Sequence, residues 1–322
     1  MSDFAWPPRL DLARTPTPLE RLDRWSQRTG CDLWVKRDDL TGVALSGNKI
    51  RKLEFLLAEA VETGADTVIT CGGVNSNHAR ATAVACARLG LRAHLVLRGE
   101  DRVPPTGNLL LDRWVGAEVE FITPEQWRDV NAHLEDRADR YRSEGRAAYV
   151  VPEGGSNGLG CLGYARAAYE LLEDAAAAGI RIGRVVHALG SGGTTAGLAL
   201  GFAMAGAPGI ECVAVCVTDD AATFDTKIRH IVEDAVQREY LTWSEAHRAR
   251  WQAVDGYVGP GYAQTTDAAM AEHREVAQTE GLIVDPVYTG KAFRALGDLD
   301  PAPGATVFVH TGGIFELFAF AR

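Results

Sequence analysis

Five short apolar runs, each leading into a polar or glycine-rich loop and then a helical pattern, narrow the folds open to this chain. They are TVITC from 67, RAHLVL from 92, RVVHAL from 184, ECVAVCV from 211 and ATVFVH from 305. Near-continuous apolar strands alternating with helices belong to parallel sheets covered on both faces. The expected fold class is therefore α/β. Ligands of such sheets bind beyond the carboxyl ends of the strands, so function is sought in five loops: 44–52 (ALSGNKIRK), 71–80 (CGGVNSNHAR), 152–160 (PEGGSNGLG), 190–197 (GSGGTTAG) and 310–313 (HTGG). Each combines glycine, which allows close approach of the backbone, with small hydroxyl or amide side chains that can hydrogen-bond a ligand.

The length of 322 residues exceeds what one core usually serves, yet no linker, repeat or low-complexity tract divides the chain. A second domain must then be an insertion or a division of the same α/β pattern. The net charge of −10 argues against a nucleic-acid partner. RYRSEGR (140–146) reads as a solvated helix end, and HRARWQ (247–252) is a single weak basic cluster. Six cysteines and eight histidines show no C-x-x-C or H-E-x-x-H spacing, so no metal is expected, and His94 and His187 read as satisfied core residues. No apolar stretch approaches the roughly 20 residues of a membrane span, and the charged, proline-broken start has no signal-type apolar core. A soluble protein of the reducing cytoplasm, with no membrane contact, is expected.

GSGGTTAG follows the apolar run RVVHAL and opens a helix in which Leu198, Phe202 and Met204 are candidates for burial. Backbone N–H groups of a glycine-rich turn, added to the positive end of a helix, make an anion site. A phosphate fits there; a plain tight turn is the alternative. The lysine of a nucleoside-triphosphate loop is missing, and so are the glycine pattern and acidic residue of a dinucleotide site.

Only five of the 33 basic residues are lysines: Lys36, Lys49, Lys52, Lys227 and Lys291. Lys49 opens a helix in which Ile50, Leu53, Leu57 and Val61 recur at helical spacing, which sets it beside the buried stripe. The positive helix end disfavours its charged form, as a nucleophilic or basic amine requires. An ordinary surface lysine at a helix start remains the alternative. Lys52 and Arg51 are expected to meet solvent or acids, Lys36 to be a paired surface charge, Lys227 to lie in a polar segment and Lys291 in the opening of a helix.

A phosphate cradle and an activated amine together suit pyridoxal 5′-phosphate (PLP), which has a phosphate to anchor and an aldehyde that reacts with an amine. Seven segments in order, SGNKIRKLEFLLAEA, CGGVNSNHARATAVACARLGL, GNLLLDRWVGAEV, VPEGGSNGLGCLGY, GSGGTTAG, DPVYTGKA and HTGG, resemble the D-cysteine desulfhydrase and 1-aminocyclopropane-1-carboxylate deaminase family. These are tryptophan-synthase-β-like, fold type II PLP enzymes. The resemblance runs from about Thr15 to the C-terminus. It implies a large domain, 1–51 with 164–322, a smaller inserted α/β domain, 52–163, the cofactor between them, and a homodimer.

Carried over by motif, the resemblance makes Lys49 the residue that binds the cofactor's aldehyde and moves the substrate Cα proton. Asn77 bonds the phenolic oxygen of the cofactor, and Gly190, Ser191, Gly192, Gly193 and Thr194 hold the phosphate. Ser76 is catalytic and, with Asn75 and His78, belongs to the loop that meets the substrate, an amino acid. Tyr288 packs over the reacting centre, and Tyr262 in GPGYAQ is a second, less well matched, aromatic hydroxyl. Deaminases of the family have Glu after the tyrosine and Leu before the terminal Gly-Gly. Here those positions are Thr289 and Thr311. A neutral Thr311 near the pyridine nitrogen cannot enforce its protonation, which makes the cofactor a milder electron sink, sufficient where a β-substituent can leave. The expected reaction is α,β-elimination, best matched by D-cysteine going to pyruvate, ammonia and hydrogen sulfide. L-cysteate sulfo-lyase is the alternative, then 1-aminocyclopropane-1-carboxylate deaminase or a PLP-binding protein without catalysis. Two departures from the family bear on the substrate: Asn75 stands where many relatives have Gln, and Phe315 and Glu316 follow HTGG near the expected pocket floor.

Overall fold

A computed structural model describes residues 4–101 and 104–320. Among these residues ten strands form two sheets: β1 (Leu19–Arg21), β2 (Leu33–Lys36), β3 (Thr67–Gly73), β4 (Arg92–Arg98), β5 (Glu118–Ile122), β6 (Ala148–Val150), β7 (Ile182–Leu189), β8 (Glu211–Cys216), β9 (Gln252–Val254) and β10 (Ala305–Val309). The six-stranded sheet has the order β1-β2-β10-β7-β8-β9, parallel except where β1 pairs antiparallel with β2. The four-stranded sheet, β5-β4-β3-β6, is parallel throughout. All five apolar runs are strands, and every residue of β3, β7 and β10 is buried, as sheets covered on both faces require. The fold class is α/β, as the alternation indicates.

The strands of the smaller sheet all lie between residues 67 and 150, and those of the larger sheet come from both ends of the chain. The expected division points, 51/52 and 163/164, fall inside two helices, Asn48–Glu62 and Leu162–Ala177. Helix Gly193–Met204 lies against Leu162–Ala177 at very short range. A Cβ on Gly197 would stand 2.2 Å from the Cys161 carbonyl oxygen, and one on Gly201 2.5 Å from that of Ala165. Leu198 and Phe202 are buried as expected, and Met204 is half-buried.

The helix Asn48–Glu62 departs from the amphipathic reading. It is buried on nearly all sides, Arg51, Lys52 and Glu54 included, whereas Val61 is 46% exposed. Its polar groups are matched by other buried polar groups instead of water. Arg51 is bidentate to Asp38 (2.7 and 2.8 Å) and reaches Glu170 at 2.8 Å. Lys36, expected at the surface, is 2% exposed and pairs with Glu170 at 2.6 Å and Asp174 at 2.5 Å. Lys227 is half-buried and pairs with Asp219, and Lys291 donates to the Val258 and Gly261 carbonyls from the helix Thr289–Ala295. His187 and His94 are buried and hydrogen-bonded, His187 to Ala188 O and His94 to Tyr141. Among the described residues no helix is long and apolar enough to cross a membrane.

Candidate active site

The carboxyl ends of β3, β7 and β10 converge on one pocket. Its wall is made by Cys71–Gly73 at the end of β3 and Ser76–His78 after it, Glu153 and Gly154, Ala188 and Leu189 at the end of β7 and Gly190–Gly192 with Thr194 and Thr195 after it, Thr311 and Gly312 after β10, and Asn48 with Lys49. Tyr262 and Tyr288 complete it. Of the five loops singled out in the sequence, each contributes.

Lys49 follows the helix start at Gly47, whose φ of 99° is open to glycine but strained for other residues. That glycine lies under the terminal loop: a Cβ there would sit 2.7 Å from the Thr311 carbonyl oxygen. The Asn48 backbone N–H donates to this same oxygen at 3.0 Å, fixing the first turn of the lysine helix to the end of β10. Lys49 Nζ donates to Asn48 Oδ1 (3.0 Å), and Asn48 Nδ2 donates to Thr194 Oγ1 (3.1 Å). One amide thus ties the amine to the helix start of the glycine loop. Burial pushes the Lys49 amine down to about 8, against the opposing pull of Glu153, Glu316 and Asp285 and with the help of Arg80. Desolvation is the main cause, where the sequence suggested the helix end.

The glycine loop opens helix Gly193–Met204. Ser191 Oγ pairs with Ser156 Oγ at 2.8 Å, and Ser156 Oγ also accepts from Gly193 N at 3.2 Å. Lys52 Nζ donates to Ser156 Oγ and to the Gly154 carbonyl, both at 3.1 Å. It lies so near the loop that a Cβ on Gly193 would stand 2.7 Å from it. Lys52 is 1% exposed, has no carboxylate within ion-pair distance among the described residues, and is held well below its ordinary range, first by burial and then by Lys49. A buried amine without an acid, beside the backbone N–H groups of a helix start, fits a bound phosphate. The expectation that Lys52 meets solvent or acids is corrected. It stands one helical turn from Lys49, at the i, i+3 spacing that puts both amines on one side of the helix, and that spacing was the available signal.

Across the pocket, Ser76 caps helix Asn77–Leu89, accepting from Ala79 N at 3.2 Å, which leaves its hydroxyl proton free to donate. Asn77 Nδ2 donates to Glu316 Oε2 at 3.0 Å, and its Oδ1 accepts from Asn108 Nδ2 at 2.9 Å. His78 Nε2 is 2.8 Å from Thr70 Oγ1. Its charged form is strongly disfavoured, by burial first and then by Lys49 and Lys52. Tyr288 donates to Tyr262 Oη at 3.2 Å, with Gly190 bare beneath the Tyr288 ring. Burial drives both phenols upward, so both keep their protons near neutral pH.

Lys49, Ser76, Asn77, His78, Gly190, Ser191, Gly192, Thr194, Tyr262, Tyr288 and Thr311 all line this pocket. Gly193 stands just behind it, at the helix start. Two further expected residues stand outside the wall. Asn75 is half-buried and its Oδ1 accepts from Leu109 N at 3.4 Å. Thr289 is fully buried and donates to Asp285 Oδ2 at 2.5 Å. Asp285 in turn accepts from the N–H groups of Val287, Tyr288 and Thr289, and so fixes the turn that aims Tyr288.

The arrangement, an amine at one side and an anion cradle tied to it through Asn48, fits PLP. A family model described as pyridoxal-phosphate dependent enzyme matches residues 10–312. The chain belongs to this family. Within it, the chain is 42% identical over 98% of its length to a Thermotoga maritima protein named "Putative 1-aminocyclopropane-1-carboxylate deaminase", covering 99% of that protein. A Pyrococcus abyssi protein of the same name is 40% identical, with 98% of this chain and 94% of that one covered. A solved structure described as an ACC deaminase homologue superposes with a TM-score of 0.89 at 38% identity, over 98% of this chain and 94% of that one. The protein is therefore a PLP-dependent enzyme of the 1-aminocyclopropane-1-carboxylate deaminase and D-cysteine desulfhydrase family, with the fold type II architecture.

Proposed function

We propose that this enzyme is a carbon–sulfur lyase acting by α,β-elimination, with D-cysteine and water converted to pyruvate, ammonia and hydrogen sulfide. The observation that carries the reading is the pair of threonines. Thr311 offers the pocket a neutral hydroxyl, and the Thr289 side chain is spent on Asp285. Neither supplies the carboxylate that the resemblance associates with deaminases at the position after the tyrosine.

The bound cofactor supplies an electron sink for the substrate Cα. The Ser76 hydroxyl and the adjoining N–H groups receive the substrate carboxylate. Lys49 is the cofactor's attachment point and, once displaced from it by the substrate's amino group, takes the Cα proton through its freed amine, whose value of about 8 suits a base. Tyr288, protonated and paired with Tyr262, passes a proton to the departing sulfur. Hydrolysis of the three-carbon enamine product then gives pyruvate and ammonia. The same reading takes 52–163 as a smaller domain inserted into one formed by 1–51 and 164–322, and a cytoplasmic homodimer as the working form.

The names of the two relatives favour a second reading, 1-aminocyclopropane-1-carboxylate deamination. Incubation of holoenzyme with D-cysteine, L-cysteate and 1-aminocyclopropane-1-carboxylate separates the readings by product. Sulfide and pyruvate from D-cysteine are expected. 2-Oxobutyrate from the cyclopropane substrate, or sulfite from L-cysteate, without sulfide from D-cysteine would overturn the assignment. No turnover of any of them would point to binding without catalysis.

A further inference from the structure

Glu316 is a buried carboxyl group that the reaction above does not use. It lies in the short turn of helix Ile314–Leu317 directly after the terminal Gly-Gly, and is 1% exposed. Its Oε2 accepts from Asn77 Nδ2 at 3.0 Å. The other polar atom of Asn77, Oδ1, accepts from Asn108 Nδ2 at 2.9 Å, and Asn108 is itself held from two sides. Its Nδ2 also donates to the Asn75 carbonyl (2.7 Å), and its Oδ1 accepts from Arg80 Nε (3.1 Å). The Arg80 guanidinium, fully buried, also donates to the Ala44 and Ser46 carbonyls in the loop that precedes Lys49.

This chain of bonds has one sense. Arg80 only donates, so Asn108 must present its oxygen to Arg80 and its NH₂ to Asn77. Asn77 must then present its oxygen to Asn108 and its NH₂ to Glu316. An Asn NH₂ group has two hydrogens, and Glu316 occupies one. The second remains for the pocket that Asn77 lines.

We propose that Glu316 is a positioning residue that clamps the Asn77 amide from behind, so that the free N–H of Asn77 is held toward the cofactor. The inference rests on the PLP reading and on Asn77 as a cofactor contact. Glu316 need not be charged for this. Burial and the nearby Asp285 hold its carboxyl well above the usual range, against Asn77, Lys49 and Lys291. A neutral carboxyl accepts through its carbonyl oxygen, which a Gln side chain reproduces in nearly the same place.

The test is PLP binding to apoprotein, followed by the absorbance of the bound cofactor, with folding checked by thermal melting. Glu316→Ala should raise the PLP dissociation constant roughly 3- to 10-fold, as loss of one buried hydrogen bond implies, and shift the absorbance band. Glu316→Gln should restore both to near wild type. In an Asn77→Ala background, Glu316→Ala should add less than about 2-fold, because the group it clamps is gone. Equal effects in the two backgrounds, failure of Gln to rescue, or an Ala variant indistinguishable from wild type would each overturn the proposal. If Glu316→Ala does not fold, the Gln variant alone decides, since a clamp that needs only an acceptor predicts wild-type affinity and spectrum. Failure of the wild-type protein to bind PLP would instead overturn the cofactor reading.

Discussion

Lys49 and Lys52 stand one turn apart on a single helix, the first half-buried and the second buried, and the structure gives them different surroundings. Lys49 feels the charges of Glu153, Glu316 and Asp285, which oppose its desolvation, and is held at about 8. Below that value the unreactive ammonium form dominates. The rate of PLP capture by apoprotein should therefore rise with pH, about tenfold per unit well below 8, and level off above it. Stopped-flow absorbance between pH 6 and 9 measures this on the apoprotein, and a flat profile would remove the lowered amine from the argument. Lys52 meets no carboxylate among the described residues and touches the glycine loop. Lys52→Met should weaken PLP binding about 10- to 100-fold, the loss of one charge-assisted contact, and leave binding of phosphate-free pyridoxal nearly unchanged. Equal loss for both ligands would place Lys52 elsewhere in the scheme. Of the two lysines only Lys49 was legible in the sequence. Its neighbour was hidden because a polar residue beside Arg51 reads as solvent-facing, and only tertiary structure shows that Asp38, Glu170 and Ser156 receive those groups in the interior.

The secondary-structure elements were more legible than their surroundings. Buried strands announce themselves by continuous apolar runs, and β3, β7 and β10 gave that signal. The helix Gly193–Met204 shows where such reading stops. Only Gly190, Gly192 and Gly193 were assigned to anion binding, and the glycines that follow in the helix, Gly197 and Gly201, carried no reading. Gly190, Gly192 and Gly193 build the loop, whereas Gly197 and Gly201 let the helix lie against Leu162–Ala177. In an isolated helix, Gly→Ala would be stabilising by about 0.5–1 kcal/mol. At position 197 the added Cβ would stand 2.2 Å from one backbone oxygen and 2.5 Å from the Tyr164 Cβ, neither of which can rotate away. Gly197→Ala should therefore destabilise the protein by about 1–3 kcal/mol and weaken PLP binding, because the same helix carries the phosphate loop. Gly209→Ala, where an added Cβ meets nothing within 4 Å, is the control and should change stability by less than about 0.5 kcal/mol. Denaturant midpoints of the two variants test the contrast.

Across the whole molecule, the pocket depends on the helix Asn48–Glu62 being held against the helix Leu162–Ala177 and the segment that follows β2, and a buried ionic cluster does that holding. Asp38 receives Arg51, Thr17 and Tyr164, and Glu170 receives Arg51 and Lys36, the latter from β2. Each bonded pair in this cluster is 13 or more residues apart in sequence, which is why the cluster could not be read from spacing and Lys36 was misplaced at the surface. Burial alone would raise the Glu170 carboxyl. The hydrogen bonds and charges of Arg51 and Lys36 outweigh it and hold the group at about 2, below its ordinary 4.5. A depressed folded-state value means that Glu170 contributes its full stabilisation above about 4.5, and that this is lost as pH falls from there toward about 2. Glu170→Gln leaves Arg51 and Lys36 with fewer counter-charges and should cost about 3 kcal/mol at pH 7. The difference between wild type and variant should shrink steadily below pH ~4.5, because acid protonates in the wild type the group that the variant lacks. Urea midpoints of the two proteins at pH 7, 5, 4 and 3 measure it. A gap that stayed constant over that range would mean that Glu170 acts through packing alone, and that its charge does not lock the lysine helix to the sheet.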